Sequence, residues 1–356
     1  MLMDGNVSMK GRDTRMPMQN ERYSRQILFR PIGIEGQTKL SEARVAIVGV
    51  GALGTVLATQ LVRAGVGFVR LIDRDVIEPS NLQRQSLYDE VDAEEGQAKA
   101  VAAAEKLRDA NRDITIEAVI EDVTWRNAET LLTNVDVILD GTDNFQVRYL
   151  INDVSVKHNI PWSYGGAVSS YGTTSFFRPG KTPCLVCLFG AELGGNHDTC
   201  DTVGVIAPVV SIIASFQVAE TIKYLTGNVE ALNDALIHID VWGNEFRSVQ
   251  MGNPRMNCSC CHDRQFDSLQ PNSDSLTVSM CGRRTIQVSP SGGFHLKLDE
   301  MASRLSQLGH VRHNAHLLRC DFGDTQITLF ADGRALIHGV EDEVIARSLY
   351  ARYIGM

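Results

Sequence analysis

Positive charge is scarce in this 356-residue chain: 34 Lys and Arg stand against 43 Asp and Glu, for a net charge of −9. A nucleic-acid face needs clustered basic residues, so this balance argues against that partner class and for a protein or a small molecule. A secretory signal is also missing, because residues 1–20 are polar and Met-rich and lack an apolar core of about 7 to 15 residues. We expect a frayed leader over 1–20 and a cytoplasmic protein. Long apolar runs are rare. Val203 to Ala219 comes nearest to a membrane span, but Pro208, Ser211, Ser215 and Gln217 interrupt it within a marginal length, so it reads as a buried core helix. Internal repeats and low-complexity tracts are absent. Without an export signal, the eight cysteines are expected as thiols, metal ligands or catalytic groups rather than disulfides.

What is present is the composition of a globular protein, 44% apolar and 22% charged. A chain of this length buries about three quarters of its unfolded surface, enough for one large domain and a smaller one. Short apolar runs ("RVAIVGV", "FVRLID", "ITIEAVI", "VDVILDG") alternate with helical patterns over 55–64, 97–110, 126–133 and 145–158. That alternation predicts βαβ units, and hence an α/β, Rossmann-like, doubly wound and mostly parallel sheet. After Ile160, "PWSYGGAVSSYGTTSFFRPG" reads as two antiparallel strands added to the sheet. A helix over 205–226 and the alternating "ALIHIDVWGNEFRSVQM" close a main domain expected at 21–264. The polar stretch "QFDSLQPN" then leads to a small α+β appendage at 273–356.

The first apolar run ends in "GVGALG". In a βα turn of this kind Gly49 permits the tight turn, Gly51 lets backbone approach phosphate, and Gly54 lets helix and strand pack closely. Phosphate then sits at the positive end of the helix. Asp73, at the end of the next strand, is placed to bind a ribose hydroxyl. Up to this point the pattern fits an NAD-dependent oxidoreductase. The next segment, "IDRDVIEPSNLQRQSLY", adds Asn81, Gln83, Arg84 and Gln85, and Lys99 follows at the start of the next helix. Two fixed cations suit a pyrophosphate leaving group better than a nicotinamide ring. Asp143, in "DGTDN" at the carboxyl edge of the sheet, would repel a triphosphate unless it held Mg²⁺. Its alternative task is to cap the helix that begins near Asn144.

The segments "RYSRQI", "GVGALG", "LIDRDVIEPSNLQRQ", "LDGTDN", the two CxxC pairs and "CDTVGVIAPVV" together resemble the ThiF/MoeB-type adenylyltransferases of the ubiquitin-activating-enzyme superfamily. The resemblance covers about residues 21–262 and leaves out the appendage. It implies ATP·Mg²⁺-dependent adenylation of the C-terminal glycine of a ubiquitin-fold sulfur carrier (ThiS- or MoaD-like, ending in Gly-Gly), for thiamine or molybdenum-cofactor synthesis. It also implies a nucleotide site of Gly49, Gly51, Ala52, Gly54, Asp73, Asp75, Ser80, Asn81, Gln83, Arg84, Lys99, Asp143 and Asn144. Within that site Asp73 would hold the ribose, Asn81, Arg84 and Lys99 the phosphates, and Asp143 the magnesium. Arg25 would reach the neighbouring subunit's ATP, which implies a homodimer. The family often has Gly where this chain has Ala52, a change of one methyl group.

Cys184 and Cys187 form "CLVC", and Cys258 and Cys261 bracket "CSCC". Two such knuckles in a reducing compartment predict a tetrahedral Zn²⁺ site. Cys260 and His262 are rival ligands, and spacing favours Cys261. Cys200 precedes the apolar helix in a polar loop, and its counterpart in ThiF-like members takes the acyl or persulfide sulfur, which brings in a sulfur donor protein as a partner. A helix N-terminus lowers a thiol pKa, whereas Asp198 and Asp201 oppose that shift. A third reading, a scaffold that binds a carrier or peptide without turnover, predicts no ATP–pyrophosphate exchange.

Overall fold

The computed structural model describes residues 21–191, 203–271, 277–279, 285–289, 296–323 and 325–355. The larger sheet comprises β1 (Arg44–Val48), β2 (Phe68–Ile72), β3 (Thr115–Val119), β4 (Val137–Asp140), β5 (Trp162–Val168), β6 (Tyr171–Phe177), β7 (Ala235–Asp240) and β8 (Glu245–Gln250). Their spatial order is β3-β2-β1-β4-β5-β6-β7-β8. Strands β1 to β5 pair in parallel, and β6 to β8 are antiparallel. The parallel strands are buried on both faces, and Val45, Ala46 and Ile47 are fully enclosed. That is why they read as continuous apolar runs.

Around this sheet lie α1 (Ser24–Ile27), α2 (Gly33–Glu42), α3 (Ala52–Ala64), α4 (Glu90–Glu95), α5 (Lys99–Ala110), α6 (Ala128–Leu132), α7 (Phe145–His158), α8 (Leu185–Phe189) and α9 (Ala207–Leu225). The order reverses at β1, which has β2 on one side and β4 on the other, so the chain ends of β1 and β4 face a crevice of the kind in which such sheets bind ligands.

One expectation needs correcting. β5 joins β4 in parallel, with Ile138 opposite Trp162, and only β6 turns back antiparallel. The reason is α7, which serves as a full crossover between β4 and β5. The apolar stretch after 203 does form a core helix: α9 buries Val209, Val210, Ile213, Ala214 and Val218 in one cluster with Leu57 and Leu61 of α3. Among the described residues no helix is long and apolar enough to cross a membrane.

The C-terminal part forms a second, antiparallel sheet of β9 (Thr277–Ser279), β10 (Thr285–Val288), β11 (His310–His313), β12 (Leu317–Phe322), β13 (Thr325–Phe330) and β14 (Ala335–His338), in order β11-β12-β13-β14-β10-β9. Helices α10 (Leu298–Leu305) and α11 (Glu343–Tyr353) cover one face, enclosing Leu305, Leu318, Ile327, Leu329 and Ile337. The other face meets the main sheet's loops, where Leu317, Phe330 and Leu336 bury Val76 and Ala98.

Candidate functional site

The site begins where β1 ends. Gly49 has φ +82°, and a Cβ there would lie 2.8 Å from the Gly141 carbonyl oxygen. At Gly54 a Cβ would stand 1.9 Å from the Gly49 carbonyl oxygen, so the turn and the helix can meet only without a side chain. Gly51 differs: a Cβ would meet only Gln85 Nε2, at 3.6 Å, which leaves the space above the turn open. Ala52 is the first residue of α3, and no side chain caps that end. The leading amide groups and the helix dipole are therefore available to an anion.

Asp73 faces this turn from the end of β2. Its Oδ2 accepts from the Val50 amide (2.6 Å) and its Oδ1 from the Asp75 amide (2.7 Å). Burial pushes its carboxyl up from the ordinary range, and Lys99 pulls the other way. Lys99, almost wholly buried, pairs with Asp75 through Nζ at 3.2 Å. A 3₁₀ turn at Pro79–Asn81 follows, closed by a capping box between Glu78 and Asn81. Asn81 is fully buried, its Oδ1 accepts from the Glu78 amide, and its Nδ2 has no hydrogen-bond partner. Arg84 is half-buried and donates to the Ser80 carbonyl (2.9 Å), while Gln83 is exposed. The Tyr88 hydroxyl bridges the Val50 and Lys99 carbonyl oxygens (2.7 and 3.1 Å), tying the glycine turn to the start of α5.

On the other side of the crevice, Asp140 ends β4 in complete burial. Its Oδ2 accepts from Arg148 Nε (2.8 Å) and its Oδ1 from the amide and hydroxyl of Thr142 (2.8 and 2.7 Å). Arg148 Nη2 also donates to the carbonyls of Thr142 and Gly165. Burial opposes the Arg148 charge, and Asp140, Tyr164 and Asp143 together more than offset it, holding its pKa above the ordinary value. This pair fixes the loop that carries Asp143. Asn144, not Asp143, caps α7 by accepting from the Gln146 amide (2.8 Å), so Asp143 stands exposed with no capping duty.

The glycine turn, Asp73, Asp75 and Lys99 are thus linked by hydrogen bonds and an ion pair, with Asp143 on the loop against Gly49; Asn81 joins them through Gln85, whose backbone amide donates to the Asn81 carbonyl and whose side chain lies near Gly51. Arg25 lies elsewhere. It is exposed on α1, whose Gln26 donates to the Ala64 carbonyl at the far end of α3 (2.9 Å). The 13 residues of α3 put about 20 Å between that end and the glycine turn. Cys200 falls outside the described residues. Sequence reasoning passed over Asp140, Arg148 and Tyr88. The available signal was a strand ending in Asp with an Arg eight positions on, in the following helix.

A second constellation gathers Cys184, Cys187, Cys258 and Cys261, whose sulfurs all lie within 4.8 Å of one another. The measured gaps are 3.9 Å (184 to 187), 3.6 Å (184 to 258) and 3.5 Å (187 to 261). Four thiolates at about 2.3 Å from one tetrahedral ion sit about 3.8 Å apart, so the donor set fits a zinc-sized ion. The Arg255 amide points at Cys187 Sγ (3.5 Å). Cys260 is outside this set of four: it sits beside Cys184 and interacts with Asn152 Nδ2 (3.2 Å) and Asp153 Oδ1 (3.4 Å). His262 is exposed beside Asp263.

The sequence model of the ThiF family matches residues 23–260. The chain belongs to the ThiF family. Among similar ThiF-type proteins, the sulfur carrier protein ThiS adenylyltransferase of Bacillus subtilis (strain 168) is 44% identical over 337 residues, 94% of this chain and 99% of that protein. The SAMP-activating enzyme E1 of Haloferax volcanii is 35% identical over 254 residues, 71% of this chain and 92% of its own. With the adenylyltransferase and sulfurtransferase MOCS3 of Culex quinquefasciatus the identity is 35% over 68% of this chain, which spans 55% of that longer relative. The ThiF fold is also matched by E. coli MccB crystallised with ATP, at a TM-score of 0.60 and 27% identity, covering 68% of this chain and 75% of that one.

Proposed function

We propose that this protein adenylates the C-terminal glycine carboxylate of a small ubiquitin-fold sulfur carrier of the ThiS type, in the service of thiamine synthesis. The observation that carries the reading is the uncapped N-terminus of α3 under an open Gly51, with buried Lys99 and the unpartnered Asn81 Nδ2 on one side and exposed Asp143 on the other. A carboxylate oxygen of the carrier attacks the α-phosphorus of ATP; the new O–P bond forms as the bridging Pα–O bond breaks, and pyrophosphate leaves. Such a reaction needs in-line positioning and charge neutralisation more than a covalent helper.

In this reading Asp73 holds the ribose, while Asn81, Arg84 and Lys99 hold the phosphates with Ser80, Gln83 and Asp75 around them. Asp143, beside Asn144, holds Mg²⁺, which supplies charge neutralisation on the phosphate oxygens. The Asp75 carboxylate, 3.2 Å from Lys99 Nζ, holds that side chain in place. The four clustered cysteines hold Zn²⁺ as a structural staple. Exposed Leu28, Phe29 and Ile34 beside Arg25 support a homodimer in which Arg25 serves the partner's ATP. Cys200 and a sulfur donor protein belong to the sulfur-transfer step that follows, in the cytoplasm. Full-length likeness to a ThiS adenylyltransferase supports the thiamine branch over the molybdenum-cofactor branch.

The test is ATP–pyrophosphate exchange with purified ThiS-type and MoaD-type carriers ending in Gly-Gly. Exchange that depends on the ThiS type supports the proposal. No exchange with either, together with thermal stabilisation by NADH but not by ATP·Mg²⁺, would overturn it.

A further inference from the structure

The C-terminal sheet reaches the nucleotide site from behind. Arg334, on the turn between β13 and β14 and 3% exposed, donates from Nη2 to the Arg74 carbonyl at 2.8 Å. Its guanidinium carbon lies over Phe330, 3.8 Å from the ring centre. Arg74 sits between the two residues most concerned with the turn, Asp73 and Asp75. Its own guanidinium binds Asp122 (2.7 Å) and approaches Asp75 (3.7 Å), and Asp75 pairs with Lys99. Gln287 of β10, also buried, donates to the same Asp122 oxygen at 3.3 Å.

Backbone contacts extend the seam. The Lys99 amide donates to the Asp75 carbonyl (3.0 Å), and the Ile77 amide to the Gln97 carbonyl (2.9 Å). This paired stretch is the surface that Leu317, Phe330 and Leu336 bury through Val76 and Ala98. Gly96 leaves room for Arg319, whose guanidinium occupies the place a Cβ would take. The segment bearing Asp75 and Lys99 is therefore held on its rear face by residues about 220 to 260 positions later in the chain, a dependence that isolated β2 or α5 packing does not create.

We propose that the C-terminal sheet is the back wall of the nucleotide site and that Arg334 is a positioning residue for Asp75 and Lys99, an inference that rests on the adenylation reading above. A nucleotide's phosphates reward a cation only when it is held in place. Arg334 never meets the nucleotide: it fixes the carbonyl between Asp73 and Asp75, and through Asp75 the Lys99 ammonium.

The test uses the full chain with its carrier. Arg334→Met keeps an unbranched stem against Phe330 and removes the bond to the Arg74 carbonyl. We expect KM for ATP in carrier-dependent exchange to rise about tenfold, the size set by one lost charge-assisted hydrogen bond, with KM for the carrier unchanged. Amide hydrogen exchange across 74–99 should quicken, and Arg334→Lys should recover part of both effects. A merely structural role lowers Tm and leaves KM for ATP alone; that result, or unchanged amide exchange across 74–99, overturns the proposal. Should Arg334→Met fail to fold, Gln287→Leu is read the same way, with smaller changes in the same direction supporting the wall and no change overturning it. A wild-type protein inactive with every carrier would instead defeat the adenylation reading. Quickened amide exchange in the variant would then still support the wall.

Discussion

Removing the zinc proposed for the cysteine cluster should loosen the main domain by an amount the chain itself sets. The link from Cys184 to Cys258 spans 74 positions. Loop closure over that length, treated as one covalent tie, is worth about 4.5 kcal/mol. An unfolding entropy of about 2.1 cal/mol/K per residue over the roughly 240 residues of the ThiF-matched region converts this to a fall in Tm of about 9 °C. Cys187→Ser removes one of four thiolates, and we expect the purified variant to lose zinc by atomic emission and to melt lower by about that amount. Chelated wild type should melt with the variant, and the chelator should do nothing further to the variant, because both have lost the same tie. Cys260→Ser is the control. Its sulfur meets Asn152 and Asp153 and is not one of the four mutually close sulfurs, so metal content should be unchanged. Wild type that carries no metal, or whose Tm ignores chelation, would refute the staple.

Three further outcomes follow from the proposed nucleotide site. Asp143→Asn should abolish carrier-dependent exchange with an unaltered circular dichroism spectrum, since its side chain is exposed and Asn144 does the capping; retained activity would remove it from the metal role. Gly54→Ala forces a methyl onto the Gly49 carbonyl oxygen and should destabilise the fold by about 1–3 kcal/mol in urea unfolding, whereas Gly51→Ala, with open space above it, should leave stability unchanged and weaken ATP binding by calorimetry. Arg148→Met leaves the fully buried Asp140 carboxylate without its counter-charge and should cost about 3–5 kcal/mol in the same assay; a loss under 1 kcal/mol would show that the Thr142 bonds suffice.

The apolar runs and helical spacings were readable as a doubly wound sheet because strands buried on both faces show their environment in composition alone. The parallel pairing of β5 was not, since glycine-rich "PWSYGGAV" carries no mark of its partner's direction. The four clustered cysteines share CxxC spacing, but the choice between adjacent Cys260 and Cys261 depends on which sulfur the turn presents, a matter of backbone path. Asp140 and Arg148 escaped notice because a buried pair formed across a strand end and a helix has no local motif. His310 to His313 form an exposed edge strand because β12 offers them backbone partners, a pairing with no mark in the local sequence.

Residue order by itself determined the glycine turn, the polar and charged residues beyond the second strand and the paired knuckles, because each rests on neighbours a few positions apart whose geometry is set locally. Only tertiary structure decided that Arg334 and Gln287 meet the Arg74 carbonyl and Asp122 behind the segment bearing Asp75, and that Arg25 lies beside the far end of α3, away from the glycine turn. Those relations join segments separated by tens to hundreds of residues. They exist only once hydrophobic burial has brought the two sheets together.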